Sequence, residues 1–141
     1  MIDFENRTDN TMSLELLNRI ADSFTDRDIE LILMDNKEIQ TINRDFRQKD
    51  QPTDVLSFPY EAMPMSPLGS IVISLNYVKD AAQKFGHSET DEFILLFIHG
   101  LLHLLGFDHE CDEGEMREKE ASLIQQYHLP KSLIVRTEEK N

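Results

Sequence analysis

The sequence predicts one α+β domain built on a small mixed sheet. The chain has 141 residues, a length that suits a single domain with a sizeable core. Short aliphatic runs alternate with helical patterns in the first half of the chain, and helical patterns dominate the second half. Hydrophobic residues make up 40% and charged residues 29%, the balance of an ordinary globular protein. We therefore expect residues 1–141 to form one domain.

Four strands are expected in the first half, because four short runs are rich in aliphatic and β-branched residues and end at polar residues. These runs are Ile2–Asn6, Asp28–Met34, Val55–Phe58 and Ser70–Ser74. A helix capped by Ser13 should follow the first strand and end near Phe24. A second helix, capped by Asp35, should cover residues 36–47. Its apolar stripe comprises Ile39, Ile42 and Phe46.

Three helices are expected in the second half, over about residues 75–85, 88–105 and 115–127. Ser74 or Asn76 caps the first of them, and Ser88 or Thr90 caps the second. The middle helix is apolar on nearly every side, which is typical of a buried helix. Gly106 should end it, because glycine readily adopts the left-handed backbone found after helices.

The total charge argues against nucleic-acid binding, whereas one local cluster of charge allows it. The net charge is -13, with 27 acidic against 14 basic residues. Taken alone, this argues against nucleic-acid binding, because phosphate contacts draw on clustered Lys and Arg. A basic cluster nevertheless surrounds the end of the second helix, and it comprises Lys37, Arg44, Arg47 and Lys49. Much of the acid lies in residues 110–120, where we expect a solvated helix face.

The composition favours a cytoplasmic protein. No run of about 18 uncharged apolar residues is present, so no membrane span is expected. The first ten residues have neither the basic region nor the apolar core of a secretory signal. Cys111 is the single cysteine, so no internal disulfide can form, and we expect it to be a bystander.

Three histidines at regular spacing predict a metal site. His99 and His103 are four residues apart on the buried helix, and so they should share one face. A turn at Gly106 would let His109 approach the same point. The pattern H-x-x-x-H-x-x-G-x-x-H has the spacing of the metzincin zinc proteases. Three imidazoles with an open position favour catalytic zinc, although nickel or cobalt would suit the same ligands. The alternative is a set of inert core histidines.

One residue departs from the protease pattern. Metzincins carry a glutamate after the first histidine as the general base, and this chain has Gly100 there. An assisting group must come from elsewhere, and the nearby candidates, among which the sequence does not choose, are Asp108, Glu110 and Asp112. His87 and His128 lie outside the pattern, and we expect both at the surface.

Three stretches of this chain resemble the YbeY family of bacterial endoribonucleases. They are NRDFRQKDQPTDVLSFP (residues 43–59), LGSIVIS (residues 68–74) and HGLLHLLGFDH (residues 99–109). In series they are a more specific signal than the histidine pattern alone. The second stretch departs from the family, which usually has an aspartate where this chain has Ser70.

The resemblance implies a metal-dependent endoribonuclease specific for single-stranded RNA. Family members act in ribosomal RNA maturation, especially at the 3′ end of the small-subunit RNA, and in ribosome quality control. The resemblance also implies a mostly parallel sheet with the metal-binding helix beneath it. His99, His103 and His109 match the family's metal ligands, expected to hold one Zn²⁺ per chain, and Arg47 matches an arginine that the family needs for activity. DNA and membranes are not expected partners.

Two residues near the end of the second helix have both a functional and a structural interpretation. The guanidinium of Arg47 could grip a phosphate and offset charge in the transition state, or it could be a solvated cation at a helix end. Asp54 could orient a ligand histidine, or it could close a local turn. Asp108 is a second candidate for orienting a ligand histidine.

Two other functions remain open from the sequence. One is metal-dependent hydrolysis of an amide or peptide, against which Gly100 counts. The other is a non-catalytic ribosome-assembly factor with a structural metal ion. For the nuclease, the acidic total predicts weak binding of naked RNA through a confined patch around Arg44, Arg47 and Lys49, so a ribosome or ribosomal protein would present the substrate.

Overall fold

The computed structural model describes residues 1–61, 63, 65–108 and 110–130. Strands and helices alternate in its first half, and helices fill its second half. The elements are β1 (Ile2–Asn6), α1 (Glu15–Asp22), β2 (Ile29–Met34), α2 (Asn36–Arg47), β3 (Val55–Pro59), β4 (Gly69–Ser74), α3 (Leu75–Phe85), α4 (Glu89–Leu104) and α5 (Glu115–Tyr127). Each lies within a few residues of its predicted position.

The four strands form one mixed sheet in the order β1-β2-β4-β3. β1 pairs with β2 and β2 with β4 in parallel, whereas β3 pairs with β4 in antiparallel orientation. The predicted class, an α+β domain on a mostly parallel mixed sheet, is therefore confirmed. β3 is an edge strand, and Ser57 at its centre lies opposite Ile71 of β4. This edge carries part of the candidate site.

Helices cover the two faces of the sheet unequally. On one face, Ile29, Leu31 and Leu33 of β2 are fully buried in a large core that includes α4. On the other face, α2 covers a smaller cluster around Ile39 and Val72. α4 is buried along most of its length, as its apolar composition predicts. Among the described helices, none combines the length and apolar character that a membrane span requires.

Side-chain caps fix the start of three helices. The predicted caps form at Asp35, Ser74 and Ser88, each of which accepts a backbone N–H of the first turn. The predicted cap at Ser13 is wrong. α1 begins two residues later, after Leu14, and no side-chain hydrogen bond from that residue caps it.

The predicted apolar stripe of α2 is only partly buried. Ile39 is fully buried and Ile42 half-buried, but Phe46 is 66% exposed. α2 ends beside the edge strand, and the described part of the chain has no further strand there for its last turn to cover. The ring of Phe46 instead meets Phe58 of β3 edge-on, with 5.7 Å between the ring centroids. The apolar stripe of α2 thus extends past the core at Phe46.

Candidate metal centre

His99 and His103 converge on one point at the end of α4. One turn of helix separates them, so both rings leave the same face. Their Nε2 atoms lie 3.2 Å apart. Two nitrogens that each lie about 2.0 to 2.1 Å from a tetrahedral Zn²⁺ stand about 3.3 Å apart. The spacing of the two rings is therefore the spacing of two ligands on one ion.

The other nitrogen of each ring faces an acceptor. Nδ1 of His99 lies 2.7 Å from Oε2 of Glu120, and Nδ1 of His103 lies 3.0 Å from the carbonyl oxygen of Phe107. A carbonyl oxygen only accepts hydrogen bonds, so Nδ1 of His103 carries the proton and Nε2 of the neutral ring keeps its lone pair. An ionised carboxylate imposes the same tautomer on His99. Metal-binding histidines are oriented in this way, so the two residues fit a divalent cation.

Glu120 is a candidate site residue that the sequence did not predict. It was counted within an acidic face in water, but it is 1% exposed and meets His99 from α5, so that expectation is wrong for this residue. The signal was present in the spacing. Met116, Glu120 and Leu123 recur at intervals of four and three and form the buried face of α5. A carboxylate in an inward position requires a partner, and here the partner is His99.

His109, the third predicted ligand, lies outside the described residues, so its role stays a prediction. Among residues 1–61, 63, 65–108 and 110–130, no cluster of three or more His, Cys, Asp or Glu side chains is placed to hold an ion. The part of the centre that the structure describes is thus the pair formed by His99 and His103, with the groups that orient them.

The acidic loop after α4 is organised by its own carboxylates. Asp108 accepts the N–H of Glu110 at 3.1 Å, and Asp112 accepts the N–H groups of Gly114 and Met116 at the start of α5. A hydrogen bond from Cys111 to Asp108, reinforced by the negative charge of Asp108, raises the pKa of the exposed Cys111 thiol. The carboxylate of Asp112 therefore fixes the turn that leads into α5, and a role for Asp108 in orienting a ligand stays a prediction.

Gly100 stands where α4 approaches the sheet most closely. A Cβ atom at this position would lie 2.9 Å from Cγ2 of Ile71 and 3.2 Å from Oγ of Ser57. The side of α4 that would carry the metzincin glutamate is therefore pressed against β3 and β4. Packing thus excludes a general base at this position, whatever its chemistry.

Arg47 is tied to this end of α4 through the edge strand. Its Nη2 donates to the carbonyl oxygen of Ser57 at 2.7 Å, and Oγ of Ser57 donates to the carbonyl oxygen of Gly100 at 3.3 Å. Gly100 directly follows His99. Two hydrogen bonds thus connect the predicted catalytic arginine to the predicted metal helix, and the guanidinium stays exposed to an incoming phosphate.

A polar pocket of about 280 Å³ opens beside Arg47. Its lining residues are Asn43, Arg47, Lys49, Gln51, Thr53 and Leu56. Two of these described residues are cations and none is acidic, which contrasts with the net charge of -13. Arg44, the third member of the predicted patch, points to its neighbour Asp45, with 3.1 Å between Nε and Oδ1. The basic surface is therefore narrower than the sequence predicts.

Two further predicted residues have structural contacts. Oδ1 of Asp54 accepts the N–H of Val55 at 2.7 Å, so its carboxylate holds the start of β3, and a role in orienting a ligand histidine stays a prediction. Ser70 lies on the face of the sheet opposite to the histidines, where its Oγ donates to Glu30 at 2.8 Å and contacts Tyr60. The departure from the family at Ser70 therefore lies away from the candidate metal centre.

His87 is not the surface residue that we expected. Its side chain is 9% exposed, and its Nε2 lies 2.7 Å from Oε1 of the buried Glu92. α3 ends just before His87 and α4 begins just after it, so the pair lies at the junction of two helices. His128 is exposed, as predicted.

Comparison with known proteins shows the family of this chain. A family model described as "Endoribonuclease YbeY" matches residues 3–128. A relative of that name from Nautilia profundicola is 60% identical over 139 residues, which cover 99% of this chain and 100% of the relative. A second, from Campylobacter jejuni, is 55% identical over 124 residues, 87% of this chain and 92% of the relative. The solution structure of a Thermotoga maritima protein matches with a TM-score of 0.62 at 29% identity, covering 89% of this chain and 87% of that one. The chain belongs to the endoribonuclease YbeY family.

Proposed function

We propose that this protein is a metal-dependent endoribonuclease that cleaves single-stranded RNA during ribosomal RNA maturation. The observation that carries the proposal is the convergence of the His99 and His103 Nε2 atoms, 3.2 Å apart, on the helix to which Arg47 is tied. Family membership supports RNA as the substrate, because the relatives are named endoribonucleases.

His99 and His103 would hold the ion, with His109 as the third ligand that the sequence pattern predicts. Zinc is the first choice, and nickel or cobalt would suit the same nitrogens. A bound ion of this kind supplies Lewis-acid activation of a phosphoryl oxygen and lowers the pKa of water to about 7. Glu120 and the Phe107 carbonyl fix the two rings, which keeps both Nε2 lone pairs aimed at the ion.

Arg47 would bind the scissile phosphate and offset the charge that builds on its oxygens. The hydrogen bond to the Ser57 carbonyl uses one of its five donors and leaves the others for phosphate. A guanidinium presents paired donors that match phosphate oxygens, which a lysine cannot do. Arg47 is thus suited to position the RNA backbone at the edge of β3.

The biological setting follows from the family resemblance and the charge. The 3′ end of the small-subunit ribosomal RNA would be the substrate, in the cytoplasm. A ribosome or ribosomal protein would present it, because the basic pocket beside Arg47 is small and the net charge is -13. Hydrolysis of amides or peptides is disfavoured, because the sheet leaves no room for a base at position 100.

Cleavage of single-stranded RNA by purified protein tests the proposal. His103→Ala and Arg47→Ala should each lower kcat by at least about a hundredfold, the typical cost of removing one group that stabilises the transition state. The matched controls are His128→Ala and Arg19→Ala, which remove an exposed histidine and an exposed arginine. Undiminished cleavage by the first two variants would reveal a contaminating nuclease and refute the assignment.

A further inference from the structure

An exposed aromatic pair lies directly beside Arg47. The ring of Phe46 is 66% exposed, although the residue follows the apolar period of α2. It contacts the half-buried ring of Phe58 at an interplanar angle of 65°. The Phe46 ring is therefore in contact with Phe58, and much of it stays exposed to the solvent.

The same pair contacts the phosphate-binding residue of the proposed function. Cζ of Arg47 lies 5.3 Å from the centroid of the Phe58 ring, within the range of a cation–π contact. The guanidinium is also bonded to the Ser57 carbonyl, so it is held on both sides. The cation and the aromatic surface thus form one continuous patch on the edge of the sheet.

The charge around this patch matches nucleic acid. The pocket beside Arg47 is lined by Lys49 as well, and no acidic side chain is among its described lining residues. Single-stranded nucleic acids bind where a cationic groove follows the backbone and an exposed aromatic ring stacks on a base. Both features occur here, because the Phe58 ring contacts the cation of Arg47 and the exposed ring of Phe46.

We propose that Phe46, supported by Phe58, stacks on a nucleobase of the strand whose phosphate Arg47 binds. The inference rests on the proposed function and names the residue that selects an unpaired base. A base within a duplex is stacked on both sides and offers its face to no protein ring, whereas an unstacked base can do so. Phe46 is thus a specificity residue for single-stranded RNA, and not a catalytic residue.

A single indole at position 46 tests the stacking directly. The chain contains no tryptophan, so the substitution Phe46→Trp makes the introduced indole the sole reporter. The titration is made in the His103→Ala background, so that the strand is not cleaved, and circular dichroism checks the fold. Single-stranded RNA should quench the indole emission of the Phe46→Trp variant, and the same strand with abasic sites should not. Equal quenching by both strands, or by neither, would overturn the proposal.

Phe85 supplies the matched control. It is 39% exposed, and a cation, Nζ of Lys84, lies 5.4 Å from its ring centroid. Phe85→Trp in the same background therefore places an exposed indole beside a cation at the C-terminal end of α3. Its emission should not respond to either strand. A response equal to that at position 46 would show general adsorption of RNA and would contradict the inference.

Cleavage kinetics separate this inference from the proposed function. With His103 intact, Phe46→Ala should raise KM by about 5- to 150-fold, the loss expected for one stacked base, and Phe46→Tyr should restore it. The value of kcat should change much less. An unchanged KM with active enzyme would refute the stacking and leave the nuclease assignment standing. An inactive wild-type protein whose Phe46→Trp variant is still quenched would refute the nuclease and leave the stacking standing.

Discussion

Two buried histidine–glutamate contacts lie in the described part of this molecule, and one of them belongs to the candidate metal centre. His99 meets Glu120 and His87 meets Glu92, each at 2.7 Å, and both glutamates are 1% exposed. By distance and burial the two contacts are equivalent. They differ in the other contacts that each histidine ring makes.

The ring of His99 stands at 78° to that of His103, and the Nε2 atoms of the two converge. His87 instead stacks on Phe85, with 12° between the ring planes. Glu120 is 21 residues from His99 along the chain, whereas Glu92 is 5 residues from His87. A contact with a buried carboxylate therefore does not by itself indicate a metal ligand. The convergence of the His99 and His103 Nε2 atoms is what distinguishes the first contact. The first contact orients a candidate metal ligand, and the second joins α3 to α4.

The largest difference between the two contacts should appear in metal affinity. Glu120→Ala should weaken Zn²⁺ binding by about tenfold to a hundredfold, because removing the group that orients a ligand histidine has this cost. Glu92→Ala is the matched control, and it should leave the affinity unchanged. Competition with a chromophoric chelator measures both, and circular dichroism verifies that each variant is folded. Equal losses of Zn²⁺ affinity in the two variants would show that the two contacts do not differ in their relation to the metal.

The sequence predicts the features that local signals determine. It misses the contacts that depend on packing between elements distant in the sequence. α2 was predicted with its observed bounds, because the Asp35 cap and the apolar period are local signals. The pairing of His99 with Glu120 was missed, because it depends on how α5 packs against α4. Phe46 was placed on the apolar stripe of α2, and its exposure was missed because the helical period does not reveal where the sheet ends. His99 and His103 were predicted because the four-residue spacing alone puts them on one face.

The contact between His87 and Glu92 should matter for stability and not for metal binding. His87→Ala removes a partner of a carboxylate that is 1% exposed, so the free energy of unfolding should fall by about 1 to 2 kcal/mol. Urea denaturation measures the change. The exposed His128 gives the control, since His128→Ala should lie within about 0.5 kcal/mol of wild type. A Zn²⁺ affinity that fell along with stability in His87→Ala would assign this contact to the metal centre as well.

The smallest effect should come from a third carboxylate, Glu30, on the opposite face of the sheet. Ser70 and Tyr60 both donate to it, at 2.8 and 3.0 Å. Ser70→Ala leaves the Tyr60 hydrogen bond in place, so the loss of stability should be about 0.5 to 1 kcal/mol, the net worth of one hydrogen bond.

Ser70 also tests the departure from the family pattern. Its side chain lies on the face away from His99 and His103, so Ser70→Ala should change neither Zn²⁺ affinity nor RNA cleavage. Tyr60→Phe removes the other donor to Glu30 and serves as the comparison in the same urea assay. A drop in cleavage for Ser70→Ala beyond the loss that unfolding explains would couple this network to the metal centre through β4. In that case the two faces of the sheet would not be independent, and the contrast between the two histidine contacts would no longer follow from their positions alone.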